Sequence, residues 1–455
     1  MDSAEALGAF GPLARKIDGF TARAGQQDMA ARIEQALADQ SVLVAESGTG
    51  TGKTFAYLVP ALLSGKKVLI STGTKNLQDQ LFHRDLPAVR AALNHSGRVA
   101  LLKGRANYLC LHRLERAEEE ARFASRRDSR SFVRVREWAT RTVSGDISEF
   151  TEIPEDSDIW PRVTSTPENC LGAKCDRFDD CHVNKARRDA LAAEVLVVNH
   201  HLFFADLALK EEGFGQLLPG VEAVVFDEAH QLPEVASSFF GLNLSAHQLN
   251  NLCRDTVAEE LKEQSAVSGL QAAAEKMEKA VADLRLAFGK ETQRGPWAMA
   301  LSRKGFREAL EAMRSRLTDL TNLLDQAAAK GTGLANCFRR ASESLDRLMM
   351  LCESAPPEYI PWFETTQRGF MLRLTPLDVA GPFRSCMADH PRAWIFTSAT
   401  LAIDGNFDHY RHQLGLDDAI TGVWESPFDY ARNALFYVPK GLPEPSAPDY
   451  TERVL

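Results

Sequence analysis

At 455 residues, with 44% hydrophobic and 25% charged residues, the chain is long enough for two or three domains and ordinary in make-up for a globular protein. Its net charge of −9 excludes a surface that is basic throughout, although not a local basic groove. Met1-Asp2-Ser3-Ala4-Glu5 has neither a basic stretch nor an apolar core, and no apolar run approaches ~18 residues, so neither a secretory signal nor a membrane span is expected. Eight cysteines without a signal predict a reducing, cytoplasmic setting, in which clustered thiols bind metal more often than they cross-link.

In chain order, Met29, Ile33 and Leu37 fall on one stripe of a helix that follows Arg23 and begins near Gln26. The amide of Gln26 offers the paired donor and acceptor that an adenine edge requires; it equally suits a solvated helix start. Residues 41–54 read Ser-Val-Leu-Val-Ala-Glu-Ser-Gly-Thr-Gly-Thr-Gly-Lys-Thr. Val42-Leu43-Val44 predicts a buried parallel strand. It runs into Ser47, Gly48, Thr49, Gly50, Thr51 and Gly52, where glycines let the backbone turn its N–H groups around phosphate oxygens. Lys53 supplies a point charge for the β- and γ-phosphates of ATP, Thr54 a hydroxyl for Mg²⁺, and the helix from Phe55 a positive dipole end. The one departure from G-x-x-x-x-G-K-[ST] is Ser47 in the first glycine slot, which mainly needs a small residue. A Gly-rich turn that binds nothing fits poorly with a strand before and a helix after Gly-Lys-Thr in register.

Lys67–Ser71 predicts a second strand, opening into Thr72-Gly-Thr74 and a polar helix; Thr72 and Thr74 suit either a grip on a phosphate backbone or an ordinary cap. Val99–Leu102 reads as another strand. Residues 103–190 then break the α/β rhythm with a polar, charge-rich stretch that contains Cys110, Cys170, Cys175 and Cys181. The intervals are 59, four and five residues. They fit a four-thiolate cage around an iron–sulfur cluster, a zinc site, or unligated core cysteines. Strands resume at Glu194–Asn199 and Val221–Phe226. Asp227-Glu228-Ala229-His230 follows at once, at the strand end where open α/β sheets bind ligands. There Asp227 would hold Mg²⁺ with Thr54, Glu228 would orient the attacking water, and His230 would couple the nucleotide to the next motif. Lys53, Asp227 and Glu228 are thus the catalytic candidates.

Segment 240–350 is strongly helical, with Met277, Val281, Leu284 and Phe288 on one stripe and Phe306, Leu310, Met313, Leu317, Leu320 and Leu324 on another, as in a small antiparallel helical domain. The α/β core returns at Ala393–Ser398, closing in Thr397-Ser398-Ala-Thr400, whose hydroxyls can relay the state of the γ-phosphate to a bound strand or simply turn the chain. From Ser426 onward, Pro427, Pro439, Pro443, Pro445 and Pro448 mark a linker or the start of something further.

Arg23-x-x-Gln26, Glu46-Ser-Gly-Thr-Gly-Thr-Gly-Lys-Thr54, four cysteines between that loop and the DEAH box, Val198-Asn-His-His-Leu202, Asp227-Glu-Ala-His230 and Thr397-Ser-Ala-Thr-Leu401 together resemble the superfamily 2 DNA helicases of the DinG/XPD type, which carry an iron–sulfur domain. Leu101-Leu-Lys-Gly-Arg-Ala-Asn-Tyr-Leu-Cys110 and Trp160-Pro-Arg-Val-Thr-Ser-Thr166 are similar to the bacterial YoaA branch. The resemblance implies an α/β fold in which a RecA-like P-loop parallel sheet is interrupted by an iron–sulfur domain (103–190) and a helical arch domain (241–380). The first helicase domain would comprise 1–102, 191–240 and 381–427. The resemblance implies ATP contacts at Arg23, Gln26, Ser47 through Thr54, Asp227, Glu228 and His230, and a 4Fe–4S cluster on Cys110, Cys170, Cys175 and Cys181. It also implies 5′→3′ translocation on single-stranded DNA, action on forked or tailed duplexes beside repair or replication proteins, and a bacterial cytoplasmic location away from membranes. Arg105 and Tyr108 become DNA contacts, or else an ordinary surface arginine and a half-buried tyrosine; Thr72, Thr74, Thr397 and Ser398 join them as DNA candidates.

Members of that family carry a second RecA-like domain of ~150 residues after Thr-Ser-Ala-Thr, ending in Q-x-x-G-R-x-x-R. Only Leu401–Leu455 follows here, so a truncated product is expected, with 428–455 as the start of that domain. Such a chain would hydrolyse ATP poorly, since lost transition-state arginines cost ~10³–10⁵ in rate in related phosphoryl-transfer enzymes. The rival from another class is a non-enzymatic iron–sulfur DNA-binding or regulatory module that keeps nucleotide as a structural ligand.

Overall fold

The computed structural model describes residues 1–455 except 121–125, 168, 212–217, 266, 354–356, 390–391, 438, 440, 445 and 455, so Pro445 lies outside the described residues. The described strands are β1 (Val42–Ser47), β2 (Val68–Thr72), β3 (Val99–Leu101), β4 (Val195–Asn199), β5 (Ala223–Asp227), β6 (Leu242–Ser245), β7 (Arg294–Pro296), β8 (Tyr359–Thr365), β9 (Phe370–Pro376), β10 (Ala393–Ser398) and β11 (Ile420–Trp424). Seven of them form one sheet in the order β11-β1-β10-β5-β2-β4-β3. Every neighbouring pair in it is parallel.

The apolar runs of these strands are continuous because both faces of the sheet are covered. Successive side chains point to opposite sides. Val68, Ile70, Val225 and Ile395 pack against Met29, Ile33 and Leu37 of helix Ala24–Asp39 and Tyr57 and Leu58 of helix Lys53–Leu63. Leu69, Val224, Phe226 and Phe396 face Phe203, Phe204 and Leu207 of helix His200–Glu211, together with Phe383 and Tyr410. Full burial of each such side chain stabilises the fold by roughly 1.5–3 kcal/mol. β10, which comes late in the chain, lies between β1 and β5, in register from Val42↔Trp394 on one side and Ala393↔Ala223 on the other. The strand ends that carry Ser47, Asp227 and Ser398 therefore lie side by side.

Two long excursions leave this sheet. The first contains helices Leu111–Glu120 and Arg126–Ala139 around a small core that includes Leu109, Leu114, Phe132, Trp138, Phe150 and Trp160, and helix His182–Ala192, whose Ala190 packs on the central sheet. The second contains helices Ala246–Glu263, Leu270–Ala287, Phe306–Ala327 and Thr332–Glu353. Its expected stripes are all in the core, Met277, Leu284, Phe288, Phe306, Met313, Leu317, Leu320 and Leu324 being fully buried. It is not purely helical, however. β6, β9, β8 and β7 form an antiparallel four-stranded sheet against those helices, with Phe370, Leu372 and Leu374 turned inward at alternate positions of β9. β6 and β7 are too short, at four and three residues, to leave a periodic trace in the sequence.

A buried ion network joins the two excursions. Asp255, on helix Ala246–Glu263, accepts from Arg113 Nη1 at 2.9 Å and Arg340 Nη1 at 2.7 Å, with Arg116 Nη2 at 3.3 Å; Arg116 also reaches Glu259 at 2.8 Å. Burial alone would raise the Asp255 carboxyl, but Arg113, Arg340 and Arg116 outweigh it and hold the group below the usual carboxylate range. Its folded-state pKa is thus lower than its unfolded one. The stability it contributes is present at neutral pH and is lost as pH falls below the ordinary aspartate value and through the depressed one. Asp255→Ala leaves guanidinium groups buried without their shared acceptor and is expected to lower stability by about 3–5 kcal/mol. Thermal or urea unfolding at pH 7 measures this, and an unchanged midpoint contradicts it.

Candidate nucleotide site

The loop after β1 is shaped by its glycines. Gly50 and Gly52 both have φ of 85°, a region costly for any side chain, and Gly52 caps helix Lys53–Leu63. A Cβ on Gly52 would run into the Gln26 amide. Gln26 is accordingly not a solvated helix start: it is 2% exposed and its Nε2 donates to the Gly52 carbonyl at 2.8 Å. The guanidinium of Arg23 lies beside the same glycine. Ser47, in the slot where a glycine is usual, is hydrogen-bonded to the Thr51 hydroxyl, and Thr51 Oγ1 donates to the Gly48 carbonyl at 2.9 Å. The departure therefore adds a tie inside the loop.

At the loop's end Lys53 Nζ stands 3.1 Å from Asp227 Oδ1 and 2.9 Å from Glu228 Oε1. Burial works to lower the Lys53 pKa, but Asp227 and Glu228 overcome it and raise the group above its usual value. Burial is also the main cause raising Asp227, with Lys53 opposing. Tyr57 donates its hydroxyl to Asp227 Oδ2 at 3.1 Å, and Thr54 lies near enough to influence that same phenol. Tyr57 was missed in the sequence, although its place four residues after Lys53 puts it on the same helix face.

Glu228 adopts a left-handed backbone, φ 57° and ψ 43°, which is costly for a residue of this type and fixed here by its surroundings. His230 Nδ1 is 2.8 Å from Ser398 Oγ and 3.4 Å from Glu228 Oε2. Thr397 Oγ1 and Ser398 Oγ each lie 3.5 Å from a carboxylate oxygen, of Asp227 and Glu228 respectively. Glu46 was also missed: its carboxylate accepts the backbone N–H groups of Leu401 and Ala402, both at 2.6 Å, and so pins the turn after β10 to β1. Thr49 meets the Tyr430 hydroxyl at 2.6 Å, and the Phe428 ring lies against Gly50.

Several expected DNA contacts are placed elsewhere. Thr397, Ser398 and Thr72 are 0% exposed, because strand ends in the middle of a covered sheet point into it. Tyr108 is 4% exposed, accepts from the Lys103 backbone N–H at 3.0 Å and pairs with Asp146, so its ring is core and offers no stacking face. Thr74 is exposed and caps helix Lys75–Gln80 by accepting from Leu77 N–H at 3.3 Å. Arg105 turns inward and donates to Cys170 Sγ at 3.1 Å.

The four excursion cysteines come together. Burial pushes the Cys110 thiol up to about 11, and Cys170, Cys175 and Cys181 are all near enough to push it the same way. Cys170 Sγ also accepts from the Gly172 N–H at 3.4 Å, and Arg187 lies within electrostatic reach of Cys170 and Cys181. Among the described residues no group of three or more His, Cys, Asp or Glu is set to hold a metal ion. The donor set nonetheless suits an iron–sulfur group: four thiols within electrostatic reach of one another, with arginine and amide donors on the Cys170 sulfur. No helix among the described residues is long and apolar enough to cross a membrane.

A glycine-shaped loop whose lysine meets paired carboxylates at adjacent ends of a parallel sheet defines a P-loop nucleotide-binding protein of the DEAD/DEAH box helicase class, and the DEAD/DEAH box helicase family matches residues 25–106. The chain is 44% identical over 434 residues to the "ATP-dependent DNA helicase YoaA" of Haemophilus influenzae, covering 95% of this chain and 68% of that one. Against the protein of the same description from Escherichia coli it is 44% identical over 438 residues, 96% and 69% of the two chains. Against the "ATP-dependent helicase DinG" of Mycobacterium tuberculosis it is 32% identical over 462 residues, 94% and 67%. The chain belongs to the DinG/XPD-like family of ATP-dependent DNA helicases, in its YoaA branch.

Proposed function

We propose that this chain forms the motor core of a DNA helicase that couples ATP hydrolysis to 5′→3′ movement along single-stranded DNA in DNA repair and replication. The observation that carries the reading is the meeting of Lys53 with Asp227 and Glu228. Lys53 and the loop N–H groups hold the phosphates, Gln26 and Arg23 flank the loop, and Thr54 with Asp227 would hold Mg²⁺, which neutralises charge developing on the phosphates. Glu228 orients the attacking water. His230 and Ser398 then sense the γ-phosphate, since both touch Glu228.

Cys110, Cys170, Cys175 and Cys181 would hold a 4Fe–4S cluster, whose chemistry when bound is to staple distant parts of residues 103–190 and to exchange an electron. Residues 241–380 form the arch beside it. Single-stranded DNA and forked or tailed duplexes are the substrates, gripped in part at the exposed cap around Thr74. Strand displacement by the protein is expected on 5′-tailed and not on 3′-tailed duplexes. The reverse preference removes the polarity, and no ATP-dependent displacement of either removes the helicase reading.

A further inference from the structure

One buried histidine has no part in the mechanism above. His200 begins helix His200–Glu211, directly after β4, and is 0% exposed. Its Nδ1 lies 2.7 Å from Ser71 Oγ near the end of β2. Its Nε2 is buried without a hydrogen-bond partner, and the backbones of Asp227 and Glu228 lie within electrostatic reach of the ring. Carbonyls only accept, so the proton belongs on Nε2, and Nδ1 accepts from the Ser71 hydroxyl. The imidazole is thus bonded to the end of β2 and sits beside the end of β5, its neighbour in the sheet.

What lies beyond each end gives the bridge its meaning. Past Ser71 the chain passes buried Thr72 and reaches Gly73 and exposed Thr74. Gly73 backs onto the side chain of Gln231, so the same loop touches the DEAH segment a second time. On the other side stands the left-handed Glu228 peptide, held by its neighbours against its own preference. A small shift there re-aims the carboxylate.

We propose that His200 is a positioning residue that transmits movement of the Ser71–Thr74 loop to Glu228, Ser71 being its contact on one side and the Asp227–Glu228 peptide on the other. The inference rests on the reading of Glu228 as the water-orienting carboxylate and of the Thr74 cap as facing DNA. DNA on that cap pulls on Ser71, the imidazole follows, and Nε2–H closes on the peptide that orients Glu228. Nucleotide at Glu228 drives the same link in reverse, as reciprocity between coupled sites requires.

The test uses the full chain with its cluster. The dissociation constant of a fluorescent single-stranded oligonucleotide is measured with and without Mg²⁺ and a non-hydrolysable ATP analogue, and analogue affinity is measured alone. The ratio of the two DNA constants reports the coupling. His200→Leu, and separately Ser71→Ala, are expected to bring that ratio about tenfold closer to one, with analogue affinity alone changed by less than about threefold. His200→Gln places an amide N–H near the position of Nε2 and is expected to recover part of the ratio. A histidine that only fills space would lower the melting temperature in His200→Leu and leave Ser71→Ala fully coupled. Full coupling in Ser71→Ala, an unchanged ratio in folded His200→Leu, or a ratio of one in the unaltered chain overturns the proposal. Should His200→Leu not fold, Ser71→Ala decides, since it removes one hydroxyl. An unaltered chain that binds no analogue removes the nucleotide reading itself, and this inference with it.

Discussion

Glu228→Gln is expected to lower the rate of ATP hydrolysis by ~10²–10⁴ while Mg²⁺-ATP binding changes little. The substitution keeps the size of the side chain and removes its charge. Lys53 loses one of its two carboxylate partners but keeps Asp227 at 3.1 Å, so the phosphate-binding loop retains its cation. The water loses the anion that orients and polarises it, which acts chiefly in the transition state. The effect should therefore fall on kcat and not on KM. Lys53→Ala is the contrasting variant: it removes the cation beside the phosphates, weakens binding and turnover together, and leaves Asp227 buried without its counter-charge. Single-turnover hydrolysis paired with equilibrium nucleotide binding separates the two. If Glu228→Gln hydrolysed ATP at the unaltered rate, the assignment of the carboxylate would be wrong, and the reading of the chain as a module with a purely structural nucleotide would gain.

The second large effect concerns the cysteines. Cys110→Ser is expected to abolish the iron content and broad visible absorbance of the purified protein and to loosen residues 103–190 as a unit. Cys110 precedes helix Leu111–Glu120, and Arg113 and Arg116 of that helix make the buried bridges to Asp255 and Glu259. Loss of the thiolate should thus be felt in the second excursion as well as the first. Hydrogen exchange provides the readout: faster exchange in 103–190 and in helix Ala246–Glu263, with the central sheet unaffected. Zinc in place of iron in the unaltered protein, or iron retained in Cys110→Ser, overturns the assignment.

The parts of the site legible in the sequence are those in which a strand, a turn and a chemical group are contiguous. Ser47 through Thr54 and Asp227 through His230 each carry their own strand and their own turn, so local pattern alone puts the groups at strand ends. Gln26 and Tyr57 were harder to read. Their partners, Gly52 and Asp227, are fixed only when helices pack onto the sheet. The DNA-contact expectations for Thr72, Thr397 and Ser398 went astray for a related reason. A hydroxyl after an apolar run looks like a surface cap, and only the strand order places these three in the covered middle of a seven-stranded sheet. The sheet of the second excursion escaped notice because its four strands are scattered between Leu242 and Pro376 among much longer helices. The gathering of Cys110 with three cysteines some sixty residues later is likewise a tertiary fact that spacing suggests and cannot establish.

The position of β10 also bears on how the molecule is made. While the ribosome is still extending the polypeptide, the phosphate-binding strand has emerged but both of its eventual sheet neighbours, β10 and β11, have not. Its open edges must wait through synthesis of both excursions, a period in which unpaired apolar strands invite wrong pairing and chaperone capture. The two excursions have cores of their own and can form during that delay. Nascent chains released before Ser398 would hold folded outer parts around an unfinished centre and have no competent nucleotide pocket.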